Sequence, residues 1–150
     1  MSDRVTLAAC PVYRDPKDAV VWLERAYGVE PTLMILNGDD VLTHAEMRVG
    51  EALIMVDREW SNLHRSPGAV GGSNTQSIRL QLADGIDAHY ERAIAAGAGI
   101  VQPPTTQFYG DRTYRVRDPE GPFWTFGQTV ESVTQEEWAR AGGLTVRRRL

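Results

Sequence analysis

His44 and Glu46 are the two side chains whose types and spacing are best suited to acid–base or metal chemistry. They lie two residues apart in a strand-like segment, so they share one face of the strand and could together relay a proton or hold a metal ion. The alternative is an ordinary polar face opposite Ala45, Met47 and Val49. A lone His and Glu do not complete a ligand set for a metal. The sequence therefore favours the polar face, with both residues kept as candidate catalytic groups.

Cys10 is the only cysteine of the chain, so no internal disulfide can form, and a reducing, cytoplasmic compartment is expected. A catalytic thiol needs a neighbouring base or cation that lowers its pKa, and His44 or Arg79 could serve. Nothing in the spacing places either residue beside Cys10. A buried, unreactive cysteine is the more frequent case.

Arg79 and Arg115 lie on two segments in which every second residue is apolar, and both stand on the polar side of that alternation. A long cation directed into a binding pocket costs desolvation free energy unless an anion meets it. Two interpretations follow. Either an internal acid such as Glu46 neutralises Arg115, or the pocket receives a carboxylate, phosphate or enolate-like ligand.

The elements that must position these residues occur twice along the chain. Asp15-Pro16 precedes a predicted helix over residues 17–27 that ends at Gly28, and Asp84-Gly85 precedes one over residues 86–96 that ends at Gly97. Aspartate accepts hydrogen bonds from the free N–H groups of a first helical turn, and glycine tolerates the left-handed conformation that ends a helix. Both the Asp pair and the Gly pair are 69 positions apart, which indicates an internal duplication.

Each predicted helix has one strand before it and three after it. The first half has strands over residues 5–12, 32–36, 43–49 and 52–56, and the second over 77–82, 100–105, 112–117 and 122–127. We therefore divide a single domain of 150 residues into a first module (5–57), a linker (58–76), a second module (77–130) and a C-terminal helix and tail (131–150). The C-terminal helix begins at a capping box of Thr134 and Glu137. His89, on the second helix, is expected on its outer side.

The composition argues against several classes of function. A net charge of −4 gives no reason to expect a nucleic-acid or anionic-membrane partner, because phosphate binding requires clustered Lys and Arg. No apolar stretch approaches the ~20 residues of a membrane-spanning helix, and the N-terminus lacks a signal-peptide pattern.

Two strand–helix–strand–strand–strand units in tandem resemble the glyoxalase/bleomycin-resistance/dioxygenase (vicinal oxygen chelate) superfamily. Local sequence agrees with this resemblance in four stretches, residues 13–28, 44–50, 109–121 and 123–127. The resemblance implies an α+β fold of two βαβββ modules, whose curled mixed sheets form a funnel with the helices outside and the ligand inside. It also implies a homodimer.

The strand alternation then sorts side chains between the funnel and the core. Apolar residues of the second module, such as Ile78, Tyr114 and Trp124, should pack beneath the helices. Loop aromatics could form walls for a planar ligand. The predicted ligand-binding residues are Cys10, Met55, Trp60, Ser77, Arg79, Gln81, Tyr109, Thr113, Arg115, Phe123 and Thr125.

Enzymes of this superfamily hold a divalent metal ion with two side chains from each module. The resemblance places those four positions at Ala8, Met55, Ser77 and Thr125, which supply a methyl, a thioether and two neutral hydroxyls instead of hard donors. We therefore expect no metal and no cofactor. The predicted function is metal-free binding of a small, anionic or planar aromatic molecule, similar to drug-sequestering resistance proteins. The alternative is a lyase, isomerase or dioxygenase with a relocated metal or metal-free acid–base catalysis at His44 and Glu46.

Overall fold

A computed structural model describes residues 6–149. Within them the chain forms three α-helices: α1 (Pro16–Tyr27), α2 (Ile86–Ala95) and α3 (Gln135–Gly142). The first-module strands are β1 (Ala8–Ala9), β2 (Val12–Tyr13), β3 (Glu30–Leu36), β4 (Leu42–Val49) and β5 (Ala52–Arg58). The second-module strands are β6 (Ile78–Gln81), β7 (Gly99–Thr106), β8 (Asp111–Arg117) and β9 (Phe123–Thr129). The first predicted strand starts at Val5, which lies outside the described residues, and its remainder forms β1 and β2.

The strands form two open mixed sheets with the same internal order. One sheet has the order β1-β5-β4-β3, with β2 also paired to β5, and the other has the order β6-β9-β8-β7. In both, the strand before the helix runs parallel to the last strand and the remaining pairs are antiparallel. The predicted α+β fold is therefore confirmed, and the equal strand order is the structural counterpart of the repeat in the sequence.

Strand alternation decides which side chains form the core. Helix α1 packs on β4 and β5, helix α2 packs on β7, β8 and β9, and the two helices pack on each other. The sheet residues that face these helices are almost completely buried: Ala45, Met47, Ile54, Val56, Tyr114, Val116, Trp124 and Phe126. The opposite side of each sheet, called the inner face below, carries the polar alternation partners.

The two main helices begin in different ways. Asp15 caps α1 as predicted, since its side chain accepts a hydrogen bond from the Asp18 N–H, and Gly28 ends the helix in the left-handed conformation. The predicted cap of α2 by Asp84 is wrong. Gly85, with φ of 71°, occupies the capping position, so Asp84 stands one residue too early. The Ile86 N–H donates instead to Gln128 Oε1.

Residues of the second module fix the N-terminal end of α1. The Glu120 carboxylate accepts hydrogen bonds from the backbone N–H groups of Arg14 and Asp15, at 2.6 and 3.0 Å. Asp118, only 5% exposed, accepts from Tyr13 Oη at 2.6 Å and from Trp124 Nε1 at 3.0 Å. Hydrogen bonds to a buried carboxylate are strong and require a specific geometry. Those of Asp118 join the two modules.

The C-terminal end of α1 is fixed by helix α2. The Arg92 guanidinium donates to the backbone carbonyls of Glu24 and Arg25, both at 2.7 Å. These carbonyls lie in the last turn of the helix, where partners within the helix run out, and Glu24 also accepts from the capping Gly28 N–H. His89 bridges Tyr114 Oη, at 2.5 Å, and the Tyr27 carbonyl, at 3.0 Å. The expected outer position of His89 is therefore wrong, because these two partners draw the ring into the helix interface. Burial accordingly lowers the His89 pKa.

Helix α3 lies at the margin of the molecule. Its capping box is present, with Thr134 Oγ accepting from the Glu137 N–H and the Glu137 carboxylate accepting from the Thr134 N–H. None of its residues is fully buried. No helix within residues 6–149 is long and apolar enough to cross a membrane.

Asp118 should make stability depend on pH. Burial raises its pKa to about 6 from 3.8, against the opposing effect of hydrogen bonds from Tyr13 and Trp124. The folded state therefore holds the proton more tightly than the unfolded state, and this stabilisation is complete below pH 3.8 and lost as pH rises through about 6. Urea unfolding from pH 4 to 7 should show the wild type losing up to about 3 kcal/mol relative to Asp118→Asn.

The Tyr13→Phe variant serves as the control. It removes a donor that favours the ionised carboxylate, so the pH window of the loss should move upward. The free energy of unfolding of the wild type minus that of Asp118→Asn should fall as pH rises. If this quantity stays constant or increases with pH, the role assigned to Asp118 is contradicted.

Candidate functional site

A large cavity lies between the first strands of the two modules. It has a volume of about 800 Å³, and its walls come from β1, β2 and β6, from the start of β5, and from the linker. The linker is held in place by two sets of contacts: Glu59 accepts from the N–H and Oγ of Ser66, and the Asn74 amide bonds to the backbone at Gly121 and Phe123. The linker wall of the cavity is therefore bonded within itself and to the second module.

The structure brings some of the predicted ligand-binding residues together and leaves others apart. Cys10, Ser77, Arg79 and Phe123 line this one cavity. A further group lies on the inner faces of the sheets without lining it: Met55, Gln81, Thr113, Arg115 and Thr125.

Two aromatic residues that were predicted to form walls of the binding pocket lie outside this cavity. Trp60, 63% exposed, stacks on His64 in the linker with ring centroids 3.8 Å apart. Tyr109 packs edge-on against Phe108 in the loop between β7 and β8. Neither residue lines the cavity, so Phe123 supplies its aromatic surface.

The charges at the cavity are already paired. Arg79 Nη2 lies 2.9 Å from Asp111 Oδ2, and the same oxygen accepts from Gln81 Nε2 at 3.2 Å. Arg65 Nε lies 3.6 Å from Glu59 Oε2. Asp111 is thus the internal acid that compensates Arg79, which favours an uncharged ligand in this cavity over the anion that the arginines suggested.

Arg115 behaves differently from Arg79. It is exposed on the inner face of the second sheet, opposite Thr125 in the β8–β9 register. No acid within residues 6–149 forms an ion pair with it, so Glu46 does not neutralise it. Glu46 lies instead near His44.

His44 sits between two carboxylates on the inner face of the first sheet. Its Nδ1 lies 3.2 Å from Asp57 Oδ1, and its Nε2 lies 3.9 Å from Glu46 Oε1. Asp57 is the directly paired residue of His44 in the β4–β5 register. A carboxylate on Nδ1 orients an imidazole and leaves Nε2 to exchange a proton, which is the arrangement that a general base requires.

Sequence reasoning missed Asp57. The predicted strand ended at residue 56, one residue before it, whereas β5 continues to Arg58. The available signal was the alternation itself: Asp57 follows Met55 by two residues and therefore shares its face.

The Cys10 thiol is a poor nucleophile in this setting. Cys10 is exposed, so the expectation of a buried cysteine is wrong. Partial desolvation of its thiol, and then the Asp57 carboxylate, nevertheless raise its pKa above the ordinary value of 9.0, so the reactive thiolate is scarce at neutral pH. A catalytic cysteine needs a neighbouring base or cation, whereas the charged group near Cys10 is the Asp57 carboxylate.

The four positions assigned to a metal have the same geometry in each module. Ala8 pairs with Leu53, and Met55 is two residues farther along β5. By the register of Ile78 with Trp124, Ser77 faces Phe123, and Thr125 is two residues farther along β9. Their methyl, thioether and hydroxyl groups do not fit a hard divalent cation. Across residues 6–149, no group of three or more His, Cys, Asp or Glu side chains is placed to hold a metal ion.

A second cavity, of about 590 Å³, lies on the helix side between α1 and residues 118–120. None of the predicted site residues lines it. Its buried polar groups, Tyr13 and Asp118, are already bonded to each other, so the larger cavity is the candidate functional site.

Comparison with known proteins gives concordant results. A model of the Glyoxalase/Bleomycin resistance protein/Dioxygenase superfamily matches residues 10–126. The crystal structure of TioX from Micromonospora sp. ML1 is 32% identical, with a TM-score of 0.69, over 84% of this chain and 99% of that one. An uncharacterized protein of Mycobacterium bovis is 29% identical over 130 residues, 84% of each chain. The fosfomycin resistance protein FosX from Listeria monocytogenes shares the fold, at 13% identity and a TM-score of 0.63, over 90% of this chain and 98% of that one.

The raised pKa of Cys10 predicts slow alkylation. At pH 8, iodoacetamide should modify Cys10 several times more slowly than it modifies a short cysteine peptide, because the thiolate fraction is small. Asp57→Asn should move the midpoint of the pH–rate profile downward, whereas Glu46→Gln should leave it in place. A wild-type midpoint below that of the free peptide would show that the thiol is activated.

Proposed function

The chain belongs to the glyoxalase/bleomycin resistance protein/dioxygenase superfamily, and from this premise we propose that it is a binding protein that captures a small organic molecule without a metal ion. The ligand occupies the 800 Å³ cavity between the first strands of the modules. One observation supports the proposal above all: the molecule has a large cavity, but the four positions expected to bind a metal carry no suitable donor atoms.

The size and lining of the cavity support capture of a drug-sized molecule. Ligand pockets usually measure roughly 300–1,000 Å³, with mainly apolar walls and a few polar groups that orient the ligand. Here Leu53 and Phe123 supply apolar wall, and the linker supplies the amides of Asn62 and Gln76. Binding then relies on burial of apolar surface and on hydrogen bonds with neutral groups.

A second candidate is a metal-free acid–base enzyme at His44. The observation in its favour is the Asp57 carboxylate 3.2 Å from His44 Nδ1. In this role Nε2 exchanges a proton with substrate, with Glu46 beside it. His44 does not line the large cavity, and for that reason we rank this candidate second.

Self-association is part of the proposal. The edge strand β3 exposes four consecutive apolar side chains, Leu33, Met34, Ile35 and Leu36, each 41–53% exposed. A long apolar edge invites pairing with another chain, and we propose a homodimer that covers it. Sedimentation velocity should show a dimer that Ile35→Glu weakens. A monomeric wild type at micromolar concentration would refute this part of the proposal.

Titration calorimetry with Zn²⁺, Ni²⁺, Mn²⁺ and Fe²⁺ tests the main proposal. The wild-type protein should bind none of them stoichiometrically with a Kd below about 10 μM. A matched gain-of-function variant carries Ala8→His, Met55→Glu, Ser77→His and Thr125→Glu. If the four positions converge, it should bind Zn²⁺ at least about 100-fold more tightly than the wild type.

Two outcomes would overturn the proposal. Tight metal binding by the wild type would make the protein a metalloprotein. The second is turnover of α-oxoaldehyde hemithioacetals by chelator-treated protein. If His44→Ala and Glu46→Gln lose this turnover but keep the wild-type unfolding temperature, the acid–base candidate is established instead.

A further inference from the structure

The large cavity is bordered by two strand edges that have no backbone partner. β1 and β2 are paired with β5 on one side only, and β6 is paired with β9 on one side only. Both free edges, around residues 8–12 and 77–80, line the cavity. Among residues 6–149, no backbone hydrogen bond joins one edge to the other.

The strand registers show which backbone groups face the cavity. The Pro11 carbonyl accepts from the Asp57 N–H of β5, and the Tyr13 carbonyl accepts from the Glu59 N–H directly after β5. Ala8 pairs with Leu53 in the same register in which Val12 pairs with Asp57. Since successive residues of a strand direct their N–H and C=O to opposite edges, Ala8, Cys10 and Val12 direct theirs away from β5.

The same reasoning applies to the second edge. The Leu82 N–H donates to the Gly127 carbonyl of β9, so Ser77, Arg79 and Gln81 direct their backbone groups away from β9. Each edge thus offers an alternating series of donors and acceptors to one cavity. Unpaired strand edges of this kind bind extended peptides by adding a strand.

We propose that the cavity binds a short, uncharged peptide-like molecule in an extended conformation, hydrogen-bonded through its backbone to both edges. This inference rests on the proposed binding function and specifies the ligand class. The charges agree with it, because the two arginines of the cavity wall already have Asp111 and Glu59 as partners. The length agrees too: β6 has four residues, which corresponds to about 13 Å of extended chain.

The test uses the N-acetylated, C-amidated tetrapeptide Thr-Val-Thr-Val as a neutral probe with high strand propensity. Calorimetry should detect binding to the full chain. The same peptide N-methylated at both valines lacks the N–H groups that one edge requires, and it should bind at least about tenfold more weakly. Hydrogen exchange should slow at the Cys10 and Arg79 amides and remain unchanged along the free edge of β3.

A pair of variants tests the edge from the protein side. Cys10→Pro removes only an N–H that faces the cavity, a position at which an edge strand tolerates proline, whereas Cys10→Ser keeps it. The peptide should bind the Pro variant at least about tenfold more weakly than the Ser variant. If the Pro variant does not fold, the N-methylated peptide and the exchange data decide the question alone.

Several results would overturn this inference. One is equal affinity for the N-methylated peptide, and another is slowed exchange in β3 in place of Cys10 and Arg79. A third is slowed exchange of the Cys10 and Arg79 amides without peptide that increases with protein concentration, which would mean that a second copy occupies the edges. If no peptide binds but a non-peptide compound shields Cys10 from alkylation, the peptide inference fails and the binding function stands. If no compound from a metabolite and antibiotic library binds either, both fail.

Discussion

The fixing of helix α1 at both ends by the second module is the constraint on which the rest of the structure depends. At its N-terminus, Glu120 accepts the backbone N–H groups of Arg14 and Asp15, and Asp118 accepts the Tyr13 hydroxyl. At its C-terminus, Arg92 donates to the carbonyls of Glu24 and Arg25. The Glu120 and Arg92 contacts bind backbone groups at the two ends of the helix, and the Asp118 contact adds a buried bond between side chains. One module therefore completes a helix of the other, and their relative position is fixed.

This mode of joining leaves the strand edges free. The modules meet through helices and through the turn that contains Asp118, so the first strands need not pair with each other to hold the molecule together. A cavity of about 800 Å³ can then remain between them. Continuation of one sheet into the other would have satisfied those edges and removed the cavity. The helices thus cover one face of each sheet, and the cavity lies apart from them, between the strand edges.

Charged side chains on the inner faces of the sheets are mostly paired with one another. Arg79 and Gln81 share one oxygen of Asp111, and His44 lies between Asp57 and Glu46. Most of these groups are partly exposed, so each pair contributes modestly to stability. Their main effect is to fix orientation and to cancel charge. The first module presents an acidic inner face with its histidine, and the second presents hydroxyls, amides and Arg115.

The sequence by itself determined the features that depend on neighbours along the chain. The alternation of apolar and polar residues fixed which side of each strand is buried, and Asp15, Gly28, Thr134 and Glu137 marked helix ends by local hydrogen bonding and backbone conformation. The repeated order of elements gave the fold. Where a local rule failed, at Asp84, a residue from a distant strand, Gln128, had taken over the role.

Only the tertiary structure decided which distant groups meet. Asp118 joins Tyr13, Asp111 joins Arg79, and Arg92 joins the end of α1, across separations of 105, 32 and 67 residues. The sequence suggested a ligand anion for Arg79 because Asp111 lies on another strand, where periodicity gives no distance. The cavity belongs to the same class, since it depends on how far apart two strand edges are held. Local sequence patterns determine which face of a strand is buried and where a helix begins and ends. The distances between groups that are far apart in the sequence follow from the packing of the whole chain.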